Sequence, residues 1–164
     1  MKTFLLIMLV SIASTTTTYA QKAAKSVFFE LGGPGLASVN YDMRFNKKED
    51  GLGFRAGIGG FSLNDDYDKV TVLFFPVGLN YLIGKDGKNY FEVGGGATFV
   101  SVNYKNNQQS NDDGAFTNSF GHLNFGYRLQ PANGGFLFRA AIVPIFTSEG
   151  FVPYYAGISF GYKF

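Results

Sequence analysis

His122 is the chain's single histidine, so it is the first place to look for acid–base chemistry. A hydrolytic site would pair it with a hydroxyl or a carboxylate, and Ser119 and Asp112 are near in sequence. Such a site needs an activated hydroxyl within hydrogen-bond reach. The local period instead places His122 on the same row as Asn124, facing an interior. A satisfied interior histidine is therefore expected, and no catalytic residue is assigned. Two clusters, Asn64-Asp65-Asp66-Tyr67-Asp68 and Asn111-Asp112-Asp113-Gly114, carry the oxygen ligands that Ca²⁺ takes. Neither has a bidentate Glu downstream, and Asp, Asn and Gly together are ordinary hairpin-tip chemistry. Gly57-Ile58-Gly59-Gly60 and Gly94-Gly95-Gly96 precede no helix, so no phosphate loop is read. Zero cysteines exclude a thiol nucleophile, a disulfide scaffold and a Cys-ligated zinc site. No metal or cofactor is expected.

The remaining candidates are charges, and they sort by parity. Glu30, Asp42, Arg44, Arg55, Glu92, His122, Arg128, Arg139 and Lys163 all fall opposite a cleaner apolar row, and Asn80 joins them. The apolar row includes Val27, Phe29, Leu31, Val39, Tyr41, Met43, Leu73, Phe75, Val77, Leu79, Phe91, Val93, Ile158, Phe160 and Tyr162. A period of two along most of the chain means strands with one apolar face.

Eight such segments follow from the pattern, at about 24–32, 36–46, 52–63, 70–83, 89–104, 115–129, 135–147 and 152–164. Turn-forming residues separate them, from Gly32-Gly33-Pro34-Gly35 to Ser148-Glu149-Gly150. Residues 24–46 could form one long bent strand. An even count favours two, because it returns both termini of a spanning barrel to one side.

Composition agrees. Only 16% of the 164 residues are charged, against roughly 25% in ordinary soluble domains, while Gly is 22 and Phe 19. A formal charge of +2 gives no argument for nucleic acid. Met1-Lys2, the apolar run Phe4–Val10 and Thr18-Tyr19-Ala20 read as a cleaved export signal over residues 1–20. That run is far short of the ~20 apolar residues a spanning helix needs. Removing the signal takes away Lys2 and no acid, leaving 13 basic and 12 acidic residues, net +1. One domain, 21–164, follows.

Two closed sheets fit these strands. A soluble, lipocalin-like carrier hides its apolar face inside. A membrane barrel turns that face to lipid and keeps ions within. Aromatic residues near strand ends (Tyr41, Phe45, Tyr81, Phe91, Tyr127, Tyr162, Phe164) match membrane-interface girdles. An Arg on the lipid face near mid-membrane costs about 2–4 kcal/mol, and the parity puts all four Arg inside. An all-β, eight-stranded antiparallel up-and-down transmembrane barrel is expected.

The end of the chain, with Tyr154 followed by alternating Phe160, Tyr162 and terminal Phe164, resembles the C-terminal signal by which outer-membrane barrels are recognised for insertion. Phe29-Glu30-Leu31-Gly32-Gly33 and Asn40-Tyr41-Asp42-Met43-Arg44-Phe45 resemble small outer-membrane barrels of OmpA/OmpX/OmpW-like type. The resemblance spans the mature chain. It implies residence in the outer membrane, contact with lipid and lipopolysaccharide, and delivery by the barrel-assembly machinery. Some barrels of this kind deacylate lipid A, which is the setting in which a His122 hydrolase would belong.

With both termini periplasmic, Glu30, Asp42, Arg55, Asn80, Glu92 and Arg139 come to one height, with Arg44, Arg128 and Lys163 nearer the edge. An eight-stranded interior is just wide enough for side chains to fill. An ion-pair plug in the periplasmic half is expected. The outer half, with Phe61, Phe74, Gly94, Gly96, Phe116, Phe120 and Tyr155 inward, reads as tight packing or a shallow apolar pocket. Pro76 and Pro144 within strands call for bulges, and a change of face at 100–104 suggests another near Val100. The leading function is a monomeric, non-enzymatic structural or surface-interaction protein acting through loop 105–114. The alternatives are a narrow conduit or pocket for small apolar molecules and a secreted carrier.

Overall fold

Alternating residues bury every second side chain of the first strand, and the pattern continues around a closed sheet. A computed structural model describes residues 23–64, 68–106, 109–111 and 116–164. The expected export signal and most of the 105–114 loop lie outside the described residues or at their margin. The strands are β1 (Lys25–Gly32), β2 (Ala37–Arg44), β3 (Gly51–Asn64), β4 (Asp68–Ile83), β5 (Asn89–Asn106), β6 (Gln109–Asn111), β7 (Asn118–Leu129), β8 (Gly135–Ile142), β9 (Ile145–Thr147), β10 (Gly150–Val152) and β11 (Ala156–Lys163). All pairings are antiparallel. β5 pairs with β7, and β1 pairs with both β2 and β11, so the sheet closes into an eight-stranded barrel. β6 pairs back on the end of β5, and the β9–β10 hairpin extends β8 and β11. Residues 24–46 form two strands joined by a short 3-10 turn at Gly33–Gly35, as parity required.

Closure matters because an open edge in lipid leaves backbone N–H and C=O groups without partners. Here every long strand has two neighbours. Val27, Phe29, Leu31, Val39, Ile58, Leu79, Ile158 and Phe160 point outward and are exposed. The charged row points inward and is buried. This is the inverse of a soluble carrier.

The wall is uneven. β1, β2 and β8 have 8 residues each, whereas β3, β4 and β5 have 14, 16 and 18. The three long strands project beyond the short side. Where they do, the outward row turns polar at paired Ser62 and Thr71, with Ser101 opposite Leu73 and Ser119 opposite Phe99. Val70, Val72, Val102 and Tyr104 then occupy the lumen-side row. The face change at 100–104 is thus a change of surroundings and not of backbone. The β4–β5 register runs unbroken from Asp68↔Asn106 to Ile83↔Phe91, and no bulge forms at Val100.

Pro76 needs no bulge either. The β3–β4 ladder lapses between Ala56↔Val77 and Gly59↔Phe74 and resumes in the same register. Near Pro144 the two flanks differ. Leu123 N donates to Pro144 O at 2.9 Å, holding register with β7. On the other flank one extra residue sits in Pro153–Tyr155, between Ala156↔Ile142 and Val152↔Ile145. That bulge leaves Tyr154 94% exposed. Phe116, expected inside, packs instead on the outward Phe75 and Phe99, with ring centroids at 5.6 and 5.4 Å. It follows β5's outer face because residues 116–117 return over that strand, Thr117 N donating to Val100 O at 2.8 Å.

Candidate functional site

All eight staves of the barrel send a polar side chain to one layer. They are Glu30 from β1, Asp42 from β2, Arg55 from β3, Asn80 from β4, Glu92 from β5, Arg128 from β7, Arg139 from β8 and Ser159 from β11. Each is at most 7% exposed. Seven charges alternate along a single connected line, Arg55–Glu30–Arg139–Glu92–Arg128–Asp42–Arg44. Each carboxylate lies between two guanidiniums, and an Arg closes each end.

Arg139 is the centre. Its Nε donates to Glu92 Oε2 at 2.9 Å and its Nη2 to Glu92 Oε1 at 2.6 Å, while Nη1 reaches Glu30 Oε1 at 3.2 Å. Arg128 Nη2 donates to Asp42 Oδ1 at 2.9 Å and to Ser26 Oγ at 3.0 Å. Arg44 Nη2 donates to both Asp42 oxygens at 2.7 and 2.9 Å and to Asn80. Arg55 binds Glu30 and, through Nε, Asn40 Oδ1 at 3.0 Å. Neutral groups supply the rest. Asn124 Nδ2 donates to Glu92 Oε1 at 3.1 Å, and Ser159 Oγ to Glu30 Oε1 at 3.3 Å.

Taking charges out of water costs several kcal/mol each, recovered only with good geometry and satisfied lone pairs. The carboxylates meet that demand; Arg44 Nε and Arg128 Nε do not. Phe28, buried on the same row, lies under two of the cations, with Arg139 Cζ at 4.6 Å and Arg55 Cζ at 5.2 Å from its ring centroid.

Two residues of the charged row stand apart. Lys163 Nζ pairs with Glu49 Oε1 at 2.6 Å and with Ala132 O at the end of the barrel that carries both termini of the sheet. His122 touches none of the acids; its Nδ1 lies 3.4 Å from Thr98 Oγ1. Ser119 is not brought to it, since it pairs with Phe99 at the outer rim; Asp112 lies outside the described residues. The sequence reading missed Phe28, Asn40, Ser26 and Ser159, all on the inward parity but marked by no charge.

Above this layer the Gly33–Gly35 turn folds into the lumen. Gly33, Pro34 and Gly35 are buried, and Thr98 Oγ1 donates to Pro34 O at 3.2 Å from across the barrel. Bare backbone lets the turn fit. A Cβ on Gly33 would lie 2.6 Å from Glu30 Cδ, and one on Gly59 2.4 Å from Gly35 O. The interior is therefore packed from both directions, with ions below and a turn above. Beside the ion layer, against β4, β5 and β7, lies a cavity of about 20 Å³ lined by Arg55, Asn80, Glu92, His122 and Asn124 among others. Gly94 and Gly96 border this region in tight packing, since a Cβ on Gly96 would lie 2.0 Å from Val77 O.

This fold is that of the small eight-stranded outer-membrane β-barrels. The N-terminal barrel domain of Pseudomonas aeruginosa OprF is similar at TM-score 0.55 and 13% identity, over 87% of this chain and 96% of that one. Ail, the attachment invasion locus protein of Yersinia pestis, is similar in its crystal structure at TM-score 0.56 and 10% identity, over 87% and 97%. Its structure in a phospholipid bilayer nanodisc matches at TM-score 0.53 and 10% identity, over 87% and 98%. No protein-family model matches the sequence, and no curated protein matches it either.

Proposed function

We propose that the chain is exported by its first 20 residues and resides in the outer membrane as a monomeric, non-enzymatic barrel with a structural or surface-interaction role. The observation that carries this reading is the pairing of an exposed apolar belt with an interior filled by ions and turn. Such a body suits hydrocarbon outside and offers solutes no open path inside. Its differentiated surface is the outer end, where β3–β5 project and loop 105–114 begins.

Lipid and lipopolysaccharide are the partners this surface supports. Lys69, exposed on the outward row, lies just beyond the Ser62–Thr71 polar line. A cation at that height suits an anionic partner, and lipopolysaccharide phosphates would supply one there. Tyr154, Phe160, Tyr162 and Phe164 are the residues through which the barrel-assembly machinery would recognise the chain.

Membrane fractionation combined with protease shaving of intact cells tests the assignment. Recovery in the outer membrane with cleavage in 105–114 is expected; recovery as a soluble periplasmic protein overturns it. Planar-bilayer recordings should be silent for the wild type, and steady single-channel conductance would replace the closed barrel with a conduit.

A further inference from the structure

Thr98 fixes the state of the only histidine. Its hydroxyl proton is committed to Pro34 O at 3.2 Å, so towards His122 Nδ1, at 3.4 Å, the same oxygen is an acceptor. The tautomer that completes this line carries its proton on Nδ1 and leaves Nε2 a bare lone pair. His122 also lines the small cavity. Asn124 lines it too, and its orientation is set by Glu92: the amide nitrogen donates to the carboxylate, which turns Oδ1 away. That Oδ1 is buried without a partner. Arg55, which lines it with Asn80 and Glu92, uses Nε and Nη2 on Asn40 and Glu30, and its Nη1 is left without a hydrogen bond among the described residues. The cavity thus gathers two acceptors and one donor in about 20 Å³, room for one water.

We propose that a single ordered water bridges Arg55, His122 and Asn124, donating to Nε2 and Oδ1 and accepting from Nη1, and that His122 is the acid-sensitive joint tying the extracellular turn to the ion layer. The connected line runs from Pro34 O through Thr98, His122, the water and Asn124 to Glu92. A second proton on Nε2 removes one of the water's acceptors. It also adds a cation to a layer that already holds four Arg against three carboxylates. The charged groups facing His122 are Arg55 from β3, Glu92 from β5 and Glu30 from β1, with Tyr155 beside Glu30. Asn80, Asn124, Thr98 and Ile145 around it are neutral. Repulsion from Arg55 moves the ring, and the bond line to Pro34 loosens with it.

Because the chain has one histidine, selective ¹⁵N-histidine labelling of the full folded protein in nanodiscs reports on it alone. At about pH 7.5 the proton is expected on Nδ1, with a cross-peak between the ring and a long-lived water. Asn124→Leu should remove that cross-peak and shift Nε2 while leaving Nδ1 protonated. A proton on Nε2, or no bound-water cross-peak in the wild type, overturns the bridge. For the acid joint, amide exchange at Leu36, whose N–H bonds Gly33 O at 3.3 Å, is followed from about pH 7.5 to about pH 4 after correction for intrinsic rates. The wild type should lose about tenfold of its protection, roughly one hydrogen bond's worth, and His122→Gln should not. Equal protection across this range in the wild type, or equal loss in both proteins, overturns the joint. Retained heat-modifiable migration confirms that each variant is folded.

Discussion

Arg139 grips Glu92 across the lumen in a two-point fork, Nε to Oε2 at 2.9 Å and Nη2 to Oε1 at 2.6 Å. The two residues sit on β8 and β5, which both pair with β7 but not with each other, so the fork ties two strands that no backbone ladder joins. Planar, bidentate recognition of a carboxylate is what guanidinium geometry suits, and lysine would not reproduce it.

That fork makes a first prediction. Arg139→Ala leaves Glu92 with Arg128 alone and Glu30 with Arg55 alone in a buried layer, and should cost about 3–5 kcal/mol, as breaking one partner of a buried pair does. Glu92→Gln combined with Arg139→Gln should cost less than the two single changes added, because each single change leaves one charged half of the fork behind and the double change leaves neither. Urea unfolding in a fixed detergent, followed by tryptophan-free probes such as far-UV ellipticity, measures both. Strict additivity would contradict the connected line.

The outer surface makes a second. Ile158, exposed on the outward row of β11, lies within the apolar belt, whereas Thr71 marks its polar limit. Ile158→Arg should weaken folding into lipid vesicles by about 2–4 kcal/mol and Thr71→Arg by about 0–1 kcal/mol. Equal costs would mean that the Ser62–Thr71 line is not the edge of the hydrocarbon.

Parity made much of this legible beforehand. A strand can place every second residue in only one of two solvents, and ions are too costly in lipid for the choice to be ambiguous. Arg44, Arg55, Arg128 and Arg139 therefore revealed the inside without any contact information. Parity says nothing of height, and that is where the sequence reading went astray. Val102 and Tyr104 looked like a bulge because the surroundings invert above the belt while the backbone runs on. The inward fold of Gly33–Gly35 was hidden for a different reason: it depends on bare backbone at Gly59, 20-odd residues away and on another strand. Phe28 went unremarked because a lone aromatic on a charged row has no signal until two guanidiniums are known to lie over it.

The turn before β5 gives a pH prediction. Asp86 accepts from Asn89 Nδ2 at 2.5 Å and from the Asn89 and Lys88 amides at 2.7 and 2.9 Å. These bonds, the Asn89 side chain first, lower its carboxyl from 3.8 to about 2. A lowered folded value means the charged form is preferred in the native state. Its stabilising effect is present above about pH 4 and fades as pH falls through about 2. The residue is exposed, so the effect is small and screened by salt. Asp86→Ala should lower the unfolding midpoint at pH 6, with the gap to wild type closing near pH 2. A gap that widens on acidification would reverse the sign.

The inward turn makes the last prediction. Gly33 has φ +66°, which side-chain-bearing residues adopt at a cost, and a Cβ there would lie 2.6–2.9 Å from the carboxyl atoms of Glu30. That carboxylate is held by both Arg55 and Arg139, so it cannot swing aside without breaking the ion line. Gly33→Ala combines backbone strain with a lost charge-assisted bond and should cost about 3 kcal/mol or more. Gly121 is the contrast: it lies on a strand, with nothing nearer than 3.9 Å to its added Cβ. Gly121→Ala should change stability by no more than about 0.5 kcal/mol. Unfolding midpoints of the two variants in the same lipid separate a turn lodged against the ions from one resting loosely at the mouth, since only a lodged turn makes the first substitution severe and the second silent.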